Sequence, residues 1–289
     1  METGKSAKDR IRELTESVTG LPTLPKVVTQ ITQLLQNPRT SAEEVGRAIT
    51  MDQSLASKVL KLVNSAFYGF PGRINTITHA IVILGFNTVK NIVLTASIFE
   101  KLGGRGGSQS FDLEKFWLHS IGTGVVGREI ARKINFRFQE EVFISGLLHD
   151  IGKVIAFKYL PEEFAQVCQY RDEKNCLLME AEKKVMDVTH DEVGGWLGTK
   201  WNLPEDLRFS ILYHHFPKQG AKHETMVSVI HLADIFTRAL GVGSGGDNRI
   251  PIVDTGVWDK LRFSRPLLDK IYKDIDAELE KASIFFQIM

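Results

Sequence analysis

Helical periodicity runs through almost the whole chain, and this feature most restricts the folds the chain can adopt. In DQSLASKVLKLVNSAF, Leu55, Val59 and Leu62 recur at the spacing of one helical face. Ser41 and Glu44 have the spacing of a capping box, which marks a helix start. The alternation of apolar and polar residues that is typical of strands is nowhere sustained in the sequence. The sequence therefore predicts an all-α fold.

Two glycine-rich stretches, GGRGGSQS and GVGSGGDN, interrupt the helical pattern and predict breaks between helical regions. The amphipathic RPLLDKIYKDIDAELEKA is expected to pack back on the protein, whereas the final SIFFQIM, apolar for a chain end, could dock a partner or a second copy. The predicted organisation is an N-terminal helical extension (1–17), an N-terminal helical lobe (18–102), a Gly-rich linker (103–110), a second helical lobe (111–240), a Gly-rich loop (241–250) and a C-terminal amphipathic helical extension (251–289).

Bulk composition is that of an ordinary globular protein. The 289 residues allow one or two domains, and a hydrophobic content of 43% with 25% charged residues is typical of soluble chains. A net charge of +1 gives no sign of a membrane-binding or nucleic-acid-binding surface. We expect no stretch long enough to cross a bilayer, no signal peptide and no disulfide framework from the two cysteines. The expected location is the cytoplasm.

An imidazole and a carboxylate stand side by side in an otherwise apolar helical segment, FISGLLHDIGKVI. They are His149 and Asp150. Burying an unpaired charge costs several kcal/mol even after relaxation, which is comparable to the net free energy of unfolding of a domain. Hydrogen bonds, a counter-ion or a metal ion must therefore compensate this pair.

Five more residues join this pair as candidate ligands, and each has a structural explanation when taken alone. A buried histidine can be hydrogen-bonded in the core, two histidines at a helix end can complement its dipole, and Asp234 can pair with Arg238. Adjacent helical residues diverge by about 100°, so His149 and Asp150 cannot complete a coordination sphere without ligands from other helices. The seven candidate ligands are His119, His149, Asp150, His190, His214, His215 and Asp234. Such a mixed set suits one or two divalent transition-metal ions (Fe, Mn, Zn or Ni) without selecting among them.

The order of these residues resembles the H…HD…D pattern of the HD superfamily of metal-dependent phosphohydrolases. His190 and the pair His214-His215 resemble the additional ligands of its binuclear branch, which includes the HD-GYP phosphodiesterases. In HDIGK, Lys153 matches the lysine that this branch places near the substrate phosphate. The resemblance implies that two metal ions share Asp150 and that Lys153 stabilises charge on the phosphoryl group.

The N-terminal lobe resembles the HDOD domains, the HD-related output domains of bacterial signalling proteins. LPTLPKVVTQITQLLQNP, ITMDQSLASKVLKLVNSAFYG and INTITHAIVILGFNTVKNIVLTASI carry this likeness, and FWLHSIGTG, SGLLHDIGK, THDEVGGWLGTKWNLP and ILYHHFP continue it in order. It implies an N-terminal helical lobe packed on an HD-type helical lobe. It also implies a regulatory role through signalling-protein partners. A phosphoester or nucleotide is the further ligand expected if the HD-type site acts as in the phosphohydrolases.

Departures from the catalytic relatives limit what the resemblance implies. HD-GYP enzymes follow the paired histidines with a DGxGYP-type loop, whereas this chain reads HHFPKQGAKHE. Lys115 stands where some of those enzymes carry a metal-binding Glu one turn before the first histidine. Cyclic di-GMP hydrolysis is therefore disfavoured. A metal-dependent phosphohydrolase acting on another phosphoester, with Asp150 and Lys153 as catalytic residues, stays as the alternative.

A third hypothesis is DNA binding. SAEEVGRAITMDQSLASKVLKLVN imitates a helix-turn-helix, with Lys58, Lys61 and Asn64 on the second helix. The neutral net charge and the apolar face of that helix favour burial in the lobe instead.

Overall fold

The computed structural model describes residues 6–16, 24, 26–103, 107–108 and 110–288, so the predicted extension at 1–17 and the linker at 103–110 lie partly outside the described residues. The α-helices are α1 Ala7–Glu16, α2 Lys26–Leu34, α3 Ala42–Thr50, α4 Gln53–Val63, α5 Ile77–Leu102, α6 Leu113–Lys133, α7 Gln139–Leu148, α8 Ile151–Tyr159, α9 Pro161–Lys174, α10 Leu178–Met186, α11 His190–Lys200, α12 Glu205–Tyr213, α13 Glu224–Ala239, α14 Gly256–Lys260 and α15 Arg265–Lys281. Short 3₁₀ helices cover Pro217–His223 and Ala282–Gln287, and strands β1 Gly107–Ser108 and β2 Phe111–Asp112 pair antiparallel. The all-α prediction is confirmed.

The helices form two compact units. The large unit comprises residues 1–21 and 105–275, and the small unit comprises residues 22–104 and 276–289. The N-terminal helix α1 packs on α11 and so belongs to the large unit. The last helix, α15, begins in the large unit, and its final residues belong to the small unit.

The small unit is built from α2 to α5 around an apolar core. The predicted inward face of α4 is buried at Leu55, Val59 and Leu62. On the same helix, Lys58 pairs with Glu100 at 3.2 Å, and the side-chain amide of Asn64 bonds the backbone at position 74. The helix that imitates a DNA-recognition helix is thus engaged within its own unit.

Helix α5 contains the longest apolar segment of the small unit. By length and composition Ile77–Leu102 could cross a membrane, so the expectation that no segment reaches that length is wrong. More than half of the segment is buried, as in the core helix of a globular unit. Gly85, at φ 82° and ψ 164°, interrupts the helical path, because glycine readily adopts a backbone conformation that other residues avoid. Two shorter helices that follow each other directly therefore account for the apparent length.

The apolar chain end packs inside the small unit. Phe285 is fully buried, and its ring centroid lies 5.0 Å from that of Phe67 and 6.5 Å from that of Phe99. The chain's own core therefore packs around Phe285 of SIFFQIM, a segment for which the sequence suggested a partner or a second copy.

Close contact between α6 and α7 organises the large unit. A Cβ added to Gly146 on α7 would lie 2.6 Å from the backbone of Gly124 on α6. The interior glycines of α6 predict such a close approach, because a glycine inside a helix costs about 1 kcal/mol relative to alanine unless another backbone needs the space. The contact brings His119 on α6 close to His149 at the end of α7.

A second close contact joins α8 to the start of α11. A Cβ at Gly152 would lie 2.0 Å from the carbonyl oxygen of His190, so only glycine fits there. This contact holds His190 next to the turn that precedes α8. Helices α12 and α13 complete the unit by packing on α7 and on each other.

Candidate metal centre

The His149-Asp150 pair lies in a turn between two helices and not within one helix, so the prediction of a continuous helix here is wrong. His149 caps the end of α7, and Asp150 precedes α8 with φ −101° and ψ 9°. The apolar character of the segment arises because both flanking helices are buried. Lys153, in the first turn of α8, still reaches the Asp150 carboxylate.

The structure brings all seven predicted ligands of the large unit together from six helices or helix ends. The first ligand group is His119, His149 and Asp234, and its two histidines face Asp150 Oδ2. The second ligand group is Asp150, His190, His214 and His215. Within each group, the ligand atoms all lie within 4.8 Å of one another.

Asp150 bridges the two groups with its two oxygens. Its Oδ2 lies 3.2 Å from His149 Nε2 and 3.7 Å from His119 Nε2. Its Oδ1 lies 3.1 Å from His190 Nε2 and 3.5 Å from His214 Nε2. One carboxylate can therefore serve two metal ions, as the resemblance to the binuclear branch implies.

The distances between ligand atoms fit a metal coordination sphere. Bonds of about 2.1 Å place neighbouring ligand atoms roughly 3.0 Å apart at right angles and roughly 3.4 Å apart in a tetrahedron. In the first group, His119 Nε2 lies 3.0 Å and His149 Nε2 3.7 Å from Asp234 Oδ1. In the second group, His215 Nε2 lies 2.9 Å from His190 Nε2. These distances lie within a few tenths of an ångström of the expected range, and the His215–His190 contact also has the geometry of a hydrogen bond.

Several of these atoms are close to one another without forming hydrogen bonds of acceptable geometry. Within the described part of the chain, His149 Nε2, His214 Nε2 and Asp150 Oδ1 are buried and have no hydrogen-bond partner. Unpaired buried polar atoms are costly and rare in proteins. Atoms that converge on a common point without bonding one another are suited to a cation, so the residues fit a metal ion.

Three histidines are oriented by contacts on the opposite side of their rings. The Nδ1 atoms of His149 and His214 lie 2.7 Å and 2.8 Å from the carbonyl oxygens of residues 146 and 211. His190 Nδ1 instead lies 2.6 Å from Glu182 Oε2, which also accepts the His190 backbone N–H at 2.9 Å. These contacts direct each Nε2 toward the centre. The sequence does not indicate Glu182, because it lies on a different helix from His190 and no helical spacing relates the two positions.

Two buried cations contact the ligand carboxylates. Lys153 Nζ lies 2.6 Å from Asp150 Oδ2 and donates to the Gly245 carbonyl oxygen at 2.7 Å. Arg238 Nε lies 2.8 Å from Asp234 Oδ1, and its Nη1 lies 3.0 Å from Asp247. Each cation thus connects a ligand carboxylate to the Gly-rich loop at 241–250. The sequence predicts the Asp234–Arg238 pair but not the role of the loop.

Two nearby residues do not act as ligands in this geometry. His231 Nδ1 contacts the His214 carbonyl oxygen at 2.7 Å, and its Nε2 accepts the backbone N–H of Asp254 at 3.0 Å. Both ring nitrogens are therefore engaged outside the two groups. The backbone carbonyl of Lys115 accepts the N–H of Ser244 at 2.9 Å, which ties the Gly-rich loop to α6.

Burial and neighbouring charges shift the imidazole pKa values in opposite directions. Burial lowers the pKa of His119 to about 4. Burial also acts to lower the pKa of His149, but the charge of Asp150 and further acceptors outweigh it and raise the value to about 9. Burial acts in the same way on His190, where Glu182 is the main opposing influence, and this pKa also rises to about 9. A metal ion that bound here at neutral pH would displace protons from these two imidazoles.

Access to the centre is narrow. Six of the seven ligands are buried, and His215 is the half-buried member. A cleft of about 560 Å³ is lined by residues that are adjacent in sequence to the second ligand group, among them Thr189, Asp191, Tyr213 and Phe216. Another cavity, of about 600 Å³, is lined by other residues of the described chain, including Asp112 and Arg171.

Comparison with known proteins gives a consistent assignment. The HDOD domain profile matches residues 21–217. A crystal structure of an HDOD domain protein of unknown function from Geobacter sulfurreducens is 26% identical, with a TM-score of 0.79, and the match covers 96% of this chain and 97% of that chain. A candidate phosphohydrolase from Shewanella amazonensis SB2B, also a crystal structure, is 21% identical, with a TM-score of 0.71 and coverage of 95% and 97%, and so shares the fold.

A curated relative extends beyond this chain. An uncharacterized protein of Treponema pallidum (strain Nichols) is 26% identical over 231 residues, which are 78% of this chain and 44% of the relative. The chain thus spans less than half the length of that relative. Because the HDOD profile matches well over half of the residues, the protein belongs to the HDOD domain family.

Proposed function

We propose that this protein is a cytoplasmic signal-transduction module that regulates partner proteins through contacts and holds one or two transition-metal ions at its HD-type site. In this proposal the metal supports the folded, regulatory state. Ligand residues would be His119, His149, Asp150, His190, His214, His215 and Asp234.

The contacts of Lys153 are the observation that favours regulation over catalysis. In a hydrolase of this type, the corresponding lysine would direct its ammonium toward the substrate phosphate. Here the side chain is fully buried, and its Nζ contacts Asp150 and the Gly245 carbonyl oxygen at 2.6 Å and 2.7 Å. The ammonium is therefore committed to the chain itself, beneath the Gly-rich loop.

The burial of the ligands supports the same proposal. A phosphoester needs several polar contacts and space at the metal, whereas six of the seven ligands are buried. The missing DGxGYP-type loop removes the segment that helps catalytic relatives bind cyclic di-GMP. A structural or sensory metal requires neither feature.

A metal-dependent phosphohydrolase is the second candidate. The complete pair of ligand groups, bridged by Asp150, favours it because such an arrangement can position a phosphoester and a water molecule. The structural similarity to the Shewanella protein named as a candidate phosphohydrolase is compatible with it. In this case Lys153 would have to leave Gly245 and turn toward the substrate.

Hydrolysis assays separate the two candidates. Protein loaded in turn with manganese, iron, zinc or nickel is incubated with bis(p-nitrophenyl) phosphate, nucleoside phosphates and cyclic di-GMP, beside His149→Ala and Asp150→Ala. The regulatory proposal expects equal, background rates in all three proteins. Turnover that requires both His149 and Asp150 would overturn it in favour of the hydrolase.

A further inference from the structure

We infer that the two ligand groups bind metal unequally: the second group takes the first metal ion, and the first group fills only at higher metal concentration. This inference rests on the proposed metal-holding function and adds the order of occupancy. It follows from the charges that surround each group.

The first ligand group is already balanced by cations. Lys153 Nζ lies 2.6 Å from Asp150 Oδ2, the oxygen that faces His119 and His149. Arg238 Nε lies 2.8 Å from Asp234 Oδ1, the oxygen nearest His119. Charges in a buried site are poorly screened, so a divalent ion bound here is repelled by both cations.

These cations cannot easily move away. Lys153 also donates to the Gly245 carbonyl oxygen, and Arg238 also pairs with Asp247 at 3.0 Å. Asp247 in turn accepts the backbone N–H of Leu178 through its other oxygen at 2.9 Å. The Gly-rich loop therefore holds Arg238 beside the first group, and it holds Lys153 beside the Asp150 carboxylate that both groups share.

The second ligand group has the opposite electrostatic setting. Glu182 is fully buried and contacts His190 Nδ1 at 2.6 Å, which places a second carboxylate behind the imidazole. Such a partner makes the ring a stronger metal ligand. Asp150 Oδ1 faces this group, and Lys153 contacts the other oxygen of the same carboxylate, so the buried Glu182 is the charge that distinguishes the second group from the first. Half-buried His215 also gives the group its access to solvent.

Limiting-metal occupancy tests the inference directly. Metal-free protein receives one equivalent of cobalt(II), and anomalous diffraction at the cobalt edge locates the ion. We expect anomalous density among Asp150, His190, His214 and His215. Density among His119, His149 and Asp234, or equal density at both positions, would overturn the order of occupancy.

Ligand variants give a second measurement in solution. Titration of metal-free protein with cobalt(II), followed by visible absorption and calorimetry, should show a tight step and then a weak step. His215→Ala should abolish the tight step, whereas His119→Gln should keep it and lose the weak step. The reverse pattern contradicts the inference, and circular dichroism verifies that each variant is folded.

Variants of the charged residues beside the two ligand groups test the electrostatic argument itself. Glu182→Gln should weaken the tight step about 10- to 100-fold, the size expected for removing a carboxylate that orients a ligand histidine. The matched control is Glu192→Gln, in the first turn of α11, which accepts from Thr189 and should leave both steps unchanged. Lys153→Met should strengthen the weak step.

The possible failures are distinguishable. If the wild type binds no cobalt, manganese, iron or zinc in either step, the proposed metal-holding function is wrong, and the inference with it. If two ions bind but Glu182→Gln behaves like Glu192→Gln and Lys153→Met leaves the weak step unchanged, only the unequal occupancy is overturned.

Discussion

The large and small units differ in the polar groups that they bury. Among the described residues, the buried polar side chains of the small unit are neutral: Asn91, Thr95 and Ser97. The large unit buries charged groups, including Asp150, Lys153, Glu182 and Asp234. The core of the small unit therefore needs no buried charge pairs, whereas the large unit requires each buried charge to be matched by another or by a metal ion. Of the residues that the structure describes, both groups that could hold a metal ion lie in the large unit.

Removing the bridging carboxylate should have the largest effect. Asp150→Ala takes one ligand from both groups and leaves Lys153 buried without its carboxylate partner. We expect loss of all bound metal and a fall of about 3–5 kcal/mol in the free energy of unfolding, the usual cost of an orphaned buried charge. Metal analysis and urea unfolding measure the two effects.

Asp259→Ala is the control for this variant, because Asp259 lies at an exposed position of the large unit. It should retain metal and stability. If Asp150→Ala kept its metal, the bridging role of Asp150 would be wrong.

A variant of the small unit should change stability without changing metal content. Phe285→Ala removes a fully buried ring from the contact with Phe67. The expected cost is about 3–5 kcal/mol, as for other buried aromatic truncations. Hydrogen exchange resolved by peptide should show the loss of protection in the small unit, and metal per chain should equal the wild-type value. Ser283→Ala, at an exposed position nearby, is the control, and metal loss in Phe285→Ala would contradict the separation.

Changing pH should affect the large unit with opposite signs in the metal-free and metal-bound protein. His149 and His190 have pKa values raised to about 9. Their charged forms stabilise the metal-free fold below about pH 6.5, the ordinary value, and this contribution is lost as the pH rises through about 9. Metal binding requires neutral imidazoles, so metal affinity should rise over the same interval.

Calorimetric titration at pH 7 and pH 9 measures the affinity, and thermal unfolding of chelator-treated protein measures the stability. Displacing one proton changes the affinity about tenfold per pH unit, so the total change should reach about 100-fold or more. An affinity that is independent of pH would contradict the proton displacement. Hydrogen exchange in the small unit provides the internal reference.

The smallest of these effects should come from the helix contact that positions the site. Gly146→Ala introduces a Cβ 2.6 Å from the Gly124 backbone. We expect a loss of about 1–3 kcal/mol from overpacking, together with weaker metal binding because α6 and α7 carry His119 and His149. Gly72→Ala in the small unit is the control, since a Cβ there meets its nearest neighbour, Phe70, at 3.8 Å. If urea unfolding gave equal free energies of unfolding for both variants, the contact between α6 and α7 would be able to relax around the added Cβ.

The sequence by itself determined the helical architecture and named the candidate ligands. Periodicity and helix caps are local properties, so α4 and the capping residues of α3 could be recognised without knowledge of the fold. The seven ligands could be named because imidazoles and carboxylates in apolar segments need partners. The same local reading mistook the apolar run around His149-Asp150 for one helix, since a turn buried between two core helices has the same composition as a helix.

Only the tertiary structure decided how the charges around these ligands are matched. Glu182 reaches His190 because the middle of α10 and the start of α11 are placed side by side, which no helical spacing predicts. The Gly-rich loop, which reads as a flexible break in the sequence, lies over the centre and accepts from Lys153 through a backbone carbonyl. The sequence does not reveal a contact made by a backbone carbonyl. This contact also joins residues 92 positions apart, so it depends on the packing of the fold. The sequence therefore specified which groups could bind a metal ion, and the fold determined which of them already have a cation beside them.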